Sequence, residues 1–260
     1  MPTALLSRLQ RWAEFTPAEI ALVQDLPGQT LAAQRGDVLP LDLRDGGSLI
    51  MLDCWAATFK DAPSGRRVIT EYILPGELYE VSRFKDKTTN VLILSRGQVR
   101  LVPHSDMRGL YASERLGEAL DWMAAIRASI SREWLANIAA RKAHERLAHL
   151  LSELSVRLNA AGLLHDAARA EMPLTQMDLA SSLAMSNVHL NNALQRLRSG
   201  GIVDIRDKHL VILNRDHLDA VAGFDDTYLL QWPTRLPDRR SNIADRRVQR
   251  ERRRSPHLTP

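Results

Sequence analysis

Apolar residues recur at helical spacing through residues 3–24. Leu5, Leu9 and Trp12 form one stretch, Ile20 and Val23 the next, and Thr16-Pro17 marks where the second helix starts. From about 28 to 104 the texture changes. Short apolar segments at 48–52, 55–59, 68–73, 91–94 and 98–102 alternate with turn material at 44–47, 61–65, 75–77 and 95–97. Strands of this length at this spacing predict a small sandwich or jelly roll. After Met107 the apolar positions are Leu116, Leu120, Met123, Ile130, Trp134 and Ile138, interrupted by Arg127. That three-four pattern, free of proline, predicts one long helix with a narrow apolar stripe. The stripe suits pairing with a second copy or packing on the chain's own sandwich, and periodicity leaves both open. A further helix is expected over 141–159 and a loop over 160–172. Two short helices follow, then a break at Gly200-Gly201 and two short strands at 202–206 and 209–213.

Residues 174–200 read LTQMDLASSLAMSNVHLNNALQRLRSG. Thr175 is placed to cap a first helix, with Asp178 three residues on, and Ser186 to cap a second after an Ala184-Met185 turn. On the second helix Leu190, Ala193, Leu194 and Leu197 share one face. The opposite face holds Val188, Asn192 and Gln195, flanked by His189, Asn191 and Arg196. Asn and Gln can pair bidentately with adenine in the major groove, and free N–H groups at the two helix starts suit phosphates. Arg206 and Lys208 fall on the tight turn between the last two strands. The same pattern also fits an amphipathic helical hairpin that binds a protein.

Composition changes this picture little: 45% hydrophobic and 25% charged residues are ordinary for a globular chain. No apolar run suits a membrane span, and the first residues read as an amphipathic helix rather than an export signal. One cysteine, Cys54, leaves no intramolecular disulfide and no iron–sulfur cluster within one chain, which points to a cytoplasmic setting. Charge is informative by position. Residues 235–260 hold nine arginines against three acidic residues, so the tail alone exceeds the whole chain's +4. The tail either attracts phosphate nonspecifically or is a solvated, disordered end.

The run from Thr175 to Leu213 resembles the winged helix of the Crp/Fnr family of transcription regulators. The segments at 132–154 (REWLANIAARKAHERLAHLLSEL) and PGEL at 75–78 resemble the same family. The likeness covers roughly residues 5–230. It implies an α+β chain with a cyclic-nucleotide-binding-like jelly roll over 1–110, a dimerisation helix over 111–140 and a winged helix-turn-helix over 141–230, before the tail at 231–260. The expected DNA-contacting residues are Thr175, Gln176, Ser186, Asn187, Val188, His189, Asn191, Asn192, Gln195, Arg196, Arg206 and Lys208. The expected partners are duplex DNA, a second copy, RNA polymerase and an unidentified small effector, with no membrane.

Two departures stand out. The family usually has glycine where this chain has Ala184, and tends to carry arginine where this chain has Asn192. In cyclic-nucleotide-binding members a Gly-Glu pair holds the ribose and an Arg-Ser pair the phosphate. Here Gly76-Glu77 stand in the first place and Lys87-Thr88 in the second, where lysine lacks arginine's planar fork. The candidate effector set is therefore Glu77, Lys87, Thr88 and Arg127. A cyclic nucleotide is disfavoured, and another small effector, or none, is expected.

His144-Glu145 with His149 has the wrong spacing for a metal pair, because positions five apart point about 140° from one another on a helix. It is expected to be a solvated flank. Cys54 is expected in the core, and Met172, Met177 and Met185 are expected to pack. No nucleophile, acid–base pair or metal set converges, so no catalytic residue, metal or cofactor is assigned. Two functions remain: a dimeric DNA-binding regulator, or a degenerate sensor whose hairpin contacts a protein partner.

Overall fold

The computed structural model describes residues 3–39, 46–81, 89–165 and 168–230. Helices α1 (Thr3–Leu9) and α2 (Pro17–Gln24) lead into β1 (Gln29–Ala33), β2 (Val38–Leu39), β3 (Gly47–Met51), β4 (Ala56–Asp61), β5 (Arg67–Ile73), β6 (Leu78–Val81), β7 (Asn90–Ile93) and β8 (Gly97–Pro103). Then come α3 (His104–Ala112), α4 (Glu114–Ala140) and α5 (Ala143–Ala160). The C-terminal part runs β9 (Leu164–His165), β10 (Arg169–Glu171), α6 (Gln176–Ser182), α7 (Asn187–Ser199), β11 (Val203–Arg206), β12 (His209–Ile212), α8 (Arg215–Ala222) and α9 (Thr227–Leu230). Thr16 caps α2 as its sequence predicts. Its hydroxyl accepts from the Glu19 amide, and Glu19 accepts from the Thr16 amide at 2.8 Å.

The strands form two four-stranded antiparallel sheets, in the orders β1-β8-β3-β6 and β2-β7-β4-β5, which make the jelly roll. Leu49, Met51, Val91, Ile93 and Val99 pack with Cys54 inside it. The outer faces of both sheets are apolar too, and helices cover them. Ile50, Leu78 and Val102 of the first sheet pack under α1, α2, α3 and the start of α4. Trp55, Phe59, Tyr72 and Leu92 of the second pack with the later part of α4, with α5 and with the C-terminal unit.

This covering decides between the two packings that the spacing leaves open. Of the stripe on α4, Leu116, Leu120, Ile130 and Trp134 are buried in their own protomer. Their partners come from the chain's own sheets and helices, Tyr72 for instance meeting Trp134 edge-on with ring centroids 5.4 Å apart. Amphipathic spacing shows that a face is covered, and here two apolar sheet faces supply the cover. The face of α4 left exposed carries Ala124, Ala125, Ala128, Arg132, Leu135 and Ala139.

The 160–172 segment also differs from the expected loop. It holds β9 and β10, and β10 pairs with β12 to extend the wing into the sheet order β11-β12-β10-β9. Strands of two and three residues are too short for alternation to reveal; the free edge of β12 gives β10 its partner, and β10 in turn pairs with β9.

Candidate nucleic-acid interface

Helix α6 begins at a complete capping box. Thr175 Oγ1 accepts from the Asp178 amide at 3.1 Å, and Asp178 Oδ2 accepts from the Thr175 amide at 2.8 Å. Helix α7 begins at Ser186, whose hydroxyl accepts from the His189 amide at 3.2 Å. Between them Ala184 sits at φ 51°, the left-handed conformation that glycine would take without strain. Relief of about 1–2 kcal/mol of left-handed strain, less about 0.4–1 kcal/mol of added backbone entropy, predicts that Ala184→Gly stabilises the protein by up to about 1.6 kcal/mol. Urea unfolding checks it, and an unchanged or lower midpoint refutes it.

The two faces of α7 separate as its sequence requires. Leu190, Ala193, Leu194 and Leu197 are buried against the C-terminal core, while Asn187, Val188, His189, Asn191, Asn192, Gln195 and Arg196 are exposed. Val188, an apolar side chain, is 67% exposed in the middle of that polar face. The first turn of α7 carries no acidic residue, so its N-terminal dipole is uncancelled. The start of α6 is different. Asp178 lies there and pairs with Arg35 of the roll, which puts a carboxylate where Thr175 and Gln176 would receive a phosphate.

Strands β11 and β12 form a two-residue hairpin, with Arg206 opposite His209 and both turn residues left-handed, Asp207 at φ 48° and Lys208 at φ 61°. Lys208 is exposed at the tip. Arg206 is exposed as well, yet its Nε lies 2.6 Å from Asp204 Oδ2, which partly neutralises it.

A second set of contacts joins this unit to the roll. Ser181 Oγ accepts from the Ile69 amide at 3.0 Å and donates to the Arg67 carbonyl at 2.8 Å, so α6 lies along β5. The Tyr72 hydroxyl is 3.1 Å from the Asp178 carbonyl and 3.0 Å from Ser182 Oγ, and burial raises its pKa. Arg35 donates to the carbonyls of Leu94 and Pro173. No local sequence signal marks Arg35, Tyr72 or Ser181, because their partners lie 59 to 143 residues away.

Of the candidate effector residues, Glu77 and Arg127 line one cavity beside α4, and both are held in internal pairs. Glu77 is largely covered, its side chain 13% exposed, with Oε1 3.0 Å from Arg8 and Oε2 accepting from Arg157 and from the Leu74 amide, each at 2.9 Å. Burial works to raise its carboxyl, but Arg157 and Arg8 outweigh that and hold it below the usual carboxylate range. Arg127 forms a bidentate pair with Glu71 at 2.6 and 2.9 Å and lies over the Tyr79 ring. Lys87 and Thr88 lie outside the described residues, as does the tail after Leu230. Arg8 and Arg157 were missed by sequence reasoning. Their signal was a charge set among leucines, Arg8 between Leu6 and Leu9, and Arg157 between Leu154 and Leu158.

Three further expectations meet the structure. Cys54 is buried, and its thiol is pushed up to about 12, chiefly by burial. His149 is no solvated flank: it is 1% exposed and packs edge-on against Phe224 and parallel to Tyr228. Met172 and Met185 are buried, whereas Met177 stands 70% exposed on α6, because its helix face turns away from both the roll and α7.

Residues 145–221 match the family of Crp-like helix-turn-helix domains. No protein of curated function matches the sequence. Among solved structures, the chain is similar to FixK2 from Bradyrhizobium japonicum, with 19% identity, a TM-score of 0.65, and coverage of 77% of this chain and 100% of that one. A CRP-family transcriptional regulator from Thermus thermophilus shares 14% identity at a TM-score of 0.57, over 75% of this chain and 97% of that one. A CooA mutant from Carboxydothermus hydrogenoformans shares 12% identity at a TM-score of 0.55, over 84% and 95%. No helix among the described residues is long and apolar enough to cross a membrane.

Proposed function

We propose that this chain, which carries the Crp-like helix-turn-helix domain of the Crp/Fnr regulators within their fold, is a dimeric transcription regulator that reads specific duplex DNA under the control of a small effector. The observation that carries the reading is the division of α7, with four apolar side chains buried behind and a continuous amide-bearing face in solvent. That face has the donors and acceptors to address base edges in a major groove, and Val188 supplies an apolar contact for a thymine methyl. The uncancelled dipole of α7 and the cations Arg196, Arg206 and Lys208 serve as phosphate contacts that fix its register. Thr175 and Gln176 contribute beside Asp178 only where Arg35 offsets its charge.

Selection of bound sequences from a random duplex pool tests the proposal. A discrete consensus with two half-sites about one turn apart supports it, and recovery of unselected sequence refutes it. Asn192→Ala is then expected to relax preference at one base position by about 1–3 kcal/mol while leaving the salt dependence of binding unchanged. A uniform loss across all sequences would remove Asn192 from base reading.

Two reading heads require two copies. The stripe that sequence periodicity offered for pairing is occupied inside the protomer, so the pairing surface is the opposite face of α4. Ala125, Ala128, Arg132, Leu135 and Ala139 recur there at alternating intervals of three and four, near the coiled-coil spacing, with Arg132 the one charge in the stripe and Leu135 70% exposed. Leu135→Glu removes an apolar contact from each copy and faces two carboxylates, so the dimer is expected to weaken by about tenfold or more. Sedimentation equilibrium measures this. A monomeric parent protein, or an unaffected variant, contradicts the assignment.

The contact of α6 with β5 supports effector control. The unit that reads DNA leans on a strand of the roll through hydrogen bonds, the Arg35–Asp178 pair and a shared apolar core, and effector control requires that this contact exchange between two arrangements. A ligand acts by favouring one of them, to the extent that it binds that arrangement more tightly.

A further inference from the structure

The apolar stripe of α4 is covered in two parts. Leu116, Ala119 and Leu120 belong to the core beneath the N-terminal helices, and Ile130 and Trp134 to the core that α5 and the C-terminal unit share. Met123 and Ile126 fall between these two stretches. Met123 packs at the edge of the first core and Ile126 at the edge of the second, and both stay half-buried. They lie on the covered side of the helix, away from the exposed face proposed for pairing, so a second copy seated there leaves them uncovered.

A cavity of about 850 Å³ opens at this gap. Trp12 borders it after the end of α1, Val156 on α5, and Ile212 and Leu213 at the end of the wing strand β12. Val156 is half-buried and Leu213 is 59% exposed, which leaves apolar surface turned to the opening. The charges around it balance. Five arginines stand in the walls, and five carboxylates answer them: Glu77 and Asp226 in the walls themselves, and Glu71, Glu153 and Asp219 paired to the arginines. Both oxygens of Glu77 are committed to internal donors, and the nitrogens of Arg8 and Arg157 that lack an acceptor are buried and do not reach the opening. An ionised occupant would find no spare countercharge to replace its hydration, whereas an apolar one removes its own surface and that of the walls from water together.

We infer that this cavity binds a neutral small molecule with a largely hydrocarbon body, which completes the cover of α4 and joins the two cores through Met123 and Ile126. The volume falls within the range of about 300–1,000 Å³ usual for small-molecule sites, whose walls are predominantly apolar. It lies outside the packed interior of the roll, where Leu49, Met51, Val91 and Ile93 meet. Because the walls come from α4 and from the wing strand, an occupant favours the arrangement in which the central helix and the reading unit stand together as they do here. The cavity is the effector site of the regulator proposed above and rests on that reading only for its consequence on DNA.

Calorimetric titration of the full chain without DNA tests the site, with hexan-1-ol, octan-1-ol and decan-1-ol as neutral probes and decanoate as the charged one. Saturable binding is expected, tightening about fourfold for each methylene added along the alcohol series, with decanoate no tighter than decan-1-ol. Ile126→Trp and Met123→Trp put bulk into the cavity from the two sides of the gap, and each is expected to weaken decan-1-ol by at least about tenfold. The alcohol series on the parent protein decides the matter even where a variant fails to fold. Absence of saturable binding, which would mean that water or the residues after Leu230 fill the cavity, overturns the inference. So does affinity that does not vary with chain length, decanoate binding more than about tenfold tighter than decan-1-ol, or binding unchanged in either folded variant. Adding a selected DNA site separates the two proposals. Alcohol binding that leaves DNA affinity unmoved keeps the site and removes its regulatory role, and failure to select any DNA site refutes the regulator without touching the cavity.

Discussion

Arg157→Met is expected to lower folding stability by about 3–5 kcal/mol, the usual consequence of removing one member from a buried ionic cluster. The side chain is 4% exposed, and its two terminal nitrogens reach Glu153 at 3.0 Å, Glu77 at 2.9 Å and the Tyr72 carbonyl at 2.7 Å. Methionine fills much of the volume but leaves Glu77 with only Arg8 and the Leu74 amide. Glu153, fully buried, keeps only the Trp134 indole at 3.1 Å and the Tyr228 hydroxyl at 3.0 Å. Burial already raises the Glu153 carboxyl above the ordinary range despite Arg157, so without Arg157 it binds a proton more readily in the fold than in the unfolded chain. A carboxyl with a raised folded pKa loses stability as pH rises. The penalty of the substitution should therefore be largest near pH 7 and shrink toward pH 5. Adding Glu153→Gln should recover part of it at neutral pH. Urea unfolding at several pH values reads all three effects. A penalty under about 1 kcal/mol that does not vary with pH would mean that the cluster is hydrated and contributes little.

That cluster also shows where the sequence stops being legible. Capping of α6 and α7 by Thr175 and Ser186, and the division of α7 into a leucine face and an amide face, depend on neighbours three and four residues away, so pattern alone reveals them. The strained Ala184 turn is legible because a family habit of glycine singles it out, and its φ of 51° gives the reason. Ownership of a buried face is another matter. The apolar stripe of α4 is visible, but that its cover is Leu78 and Tyr72 rather than a second α4 depends on how two sheets present their outer faces. Arg8 and Arg157 are visible as charges among leucines, and their common partner Glu77 is 80 residues from Arg157. Helix α5 misleads for a related reason. Leu147 through Ser155 are all buried, polar residues included, so the face that looks solvated in sequence is covered by the roll on one side and by α8 and α9 on another.

His149, on that misread face, carries the second large effect. Stability is expected to fall by up to about 3 kcal/mol as pH drops from 6.5 to 4 and to take no further loss from this residue below that. The ring is 1% exposed between Phe224 and Tyr228, and burial, aided by the nearby Arg141, lowers its pKa from 6.5 to about 4. Glu133 lies 3.5 Å from Nε2, but it is about one-third exposed and also faces Arg141, so it is too well hydrated to hold a proton on the ring. The folded ring therefore stays neutral while the unfolded chain takes up a proton, and each step below pH 6.5 favours unfolding. His144 adds in the same direction, its pKa lowered first by burial and then by Arg196. Glu77, held below the carboxylate range, loses its contribution only in more acidic solution. Replacing His149 by Phe keeps the aromatic packing and removes the proton, so between pH 6.5 and 4.5 the variant should decline only by the smaller contribution of His144 while the parent declines by both. Because Tyr228 also bonds Glu153 at 3.0 Å, hydrogen exchange in the parent should rise first at α9 and at the end of α8 as the ring is charged. A parent whose stability is level across that interval, or a Phe variant that declines as steeply, would show that the ring is protonated in the fold.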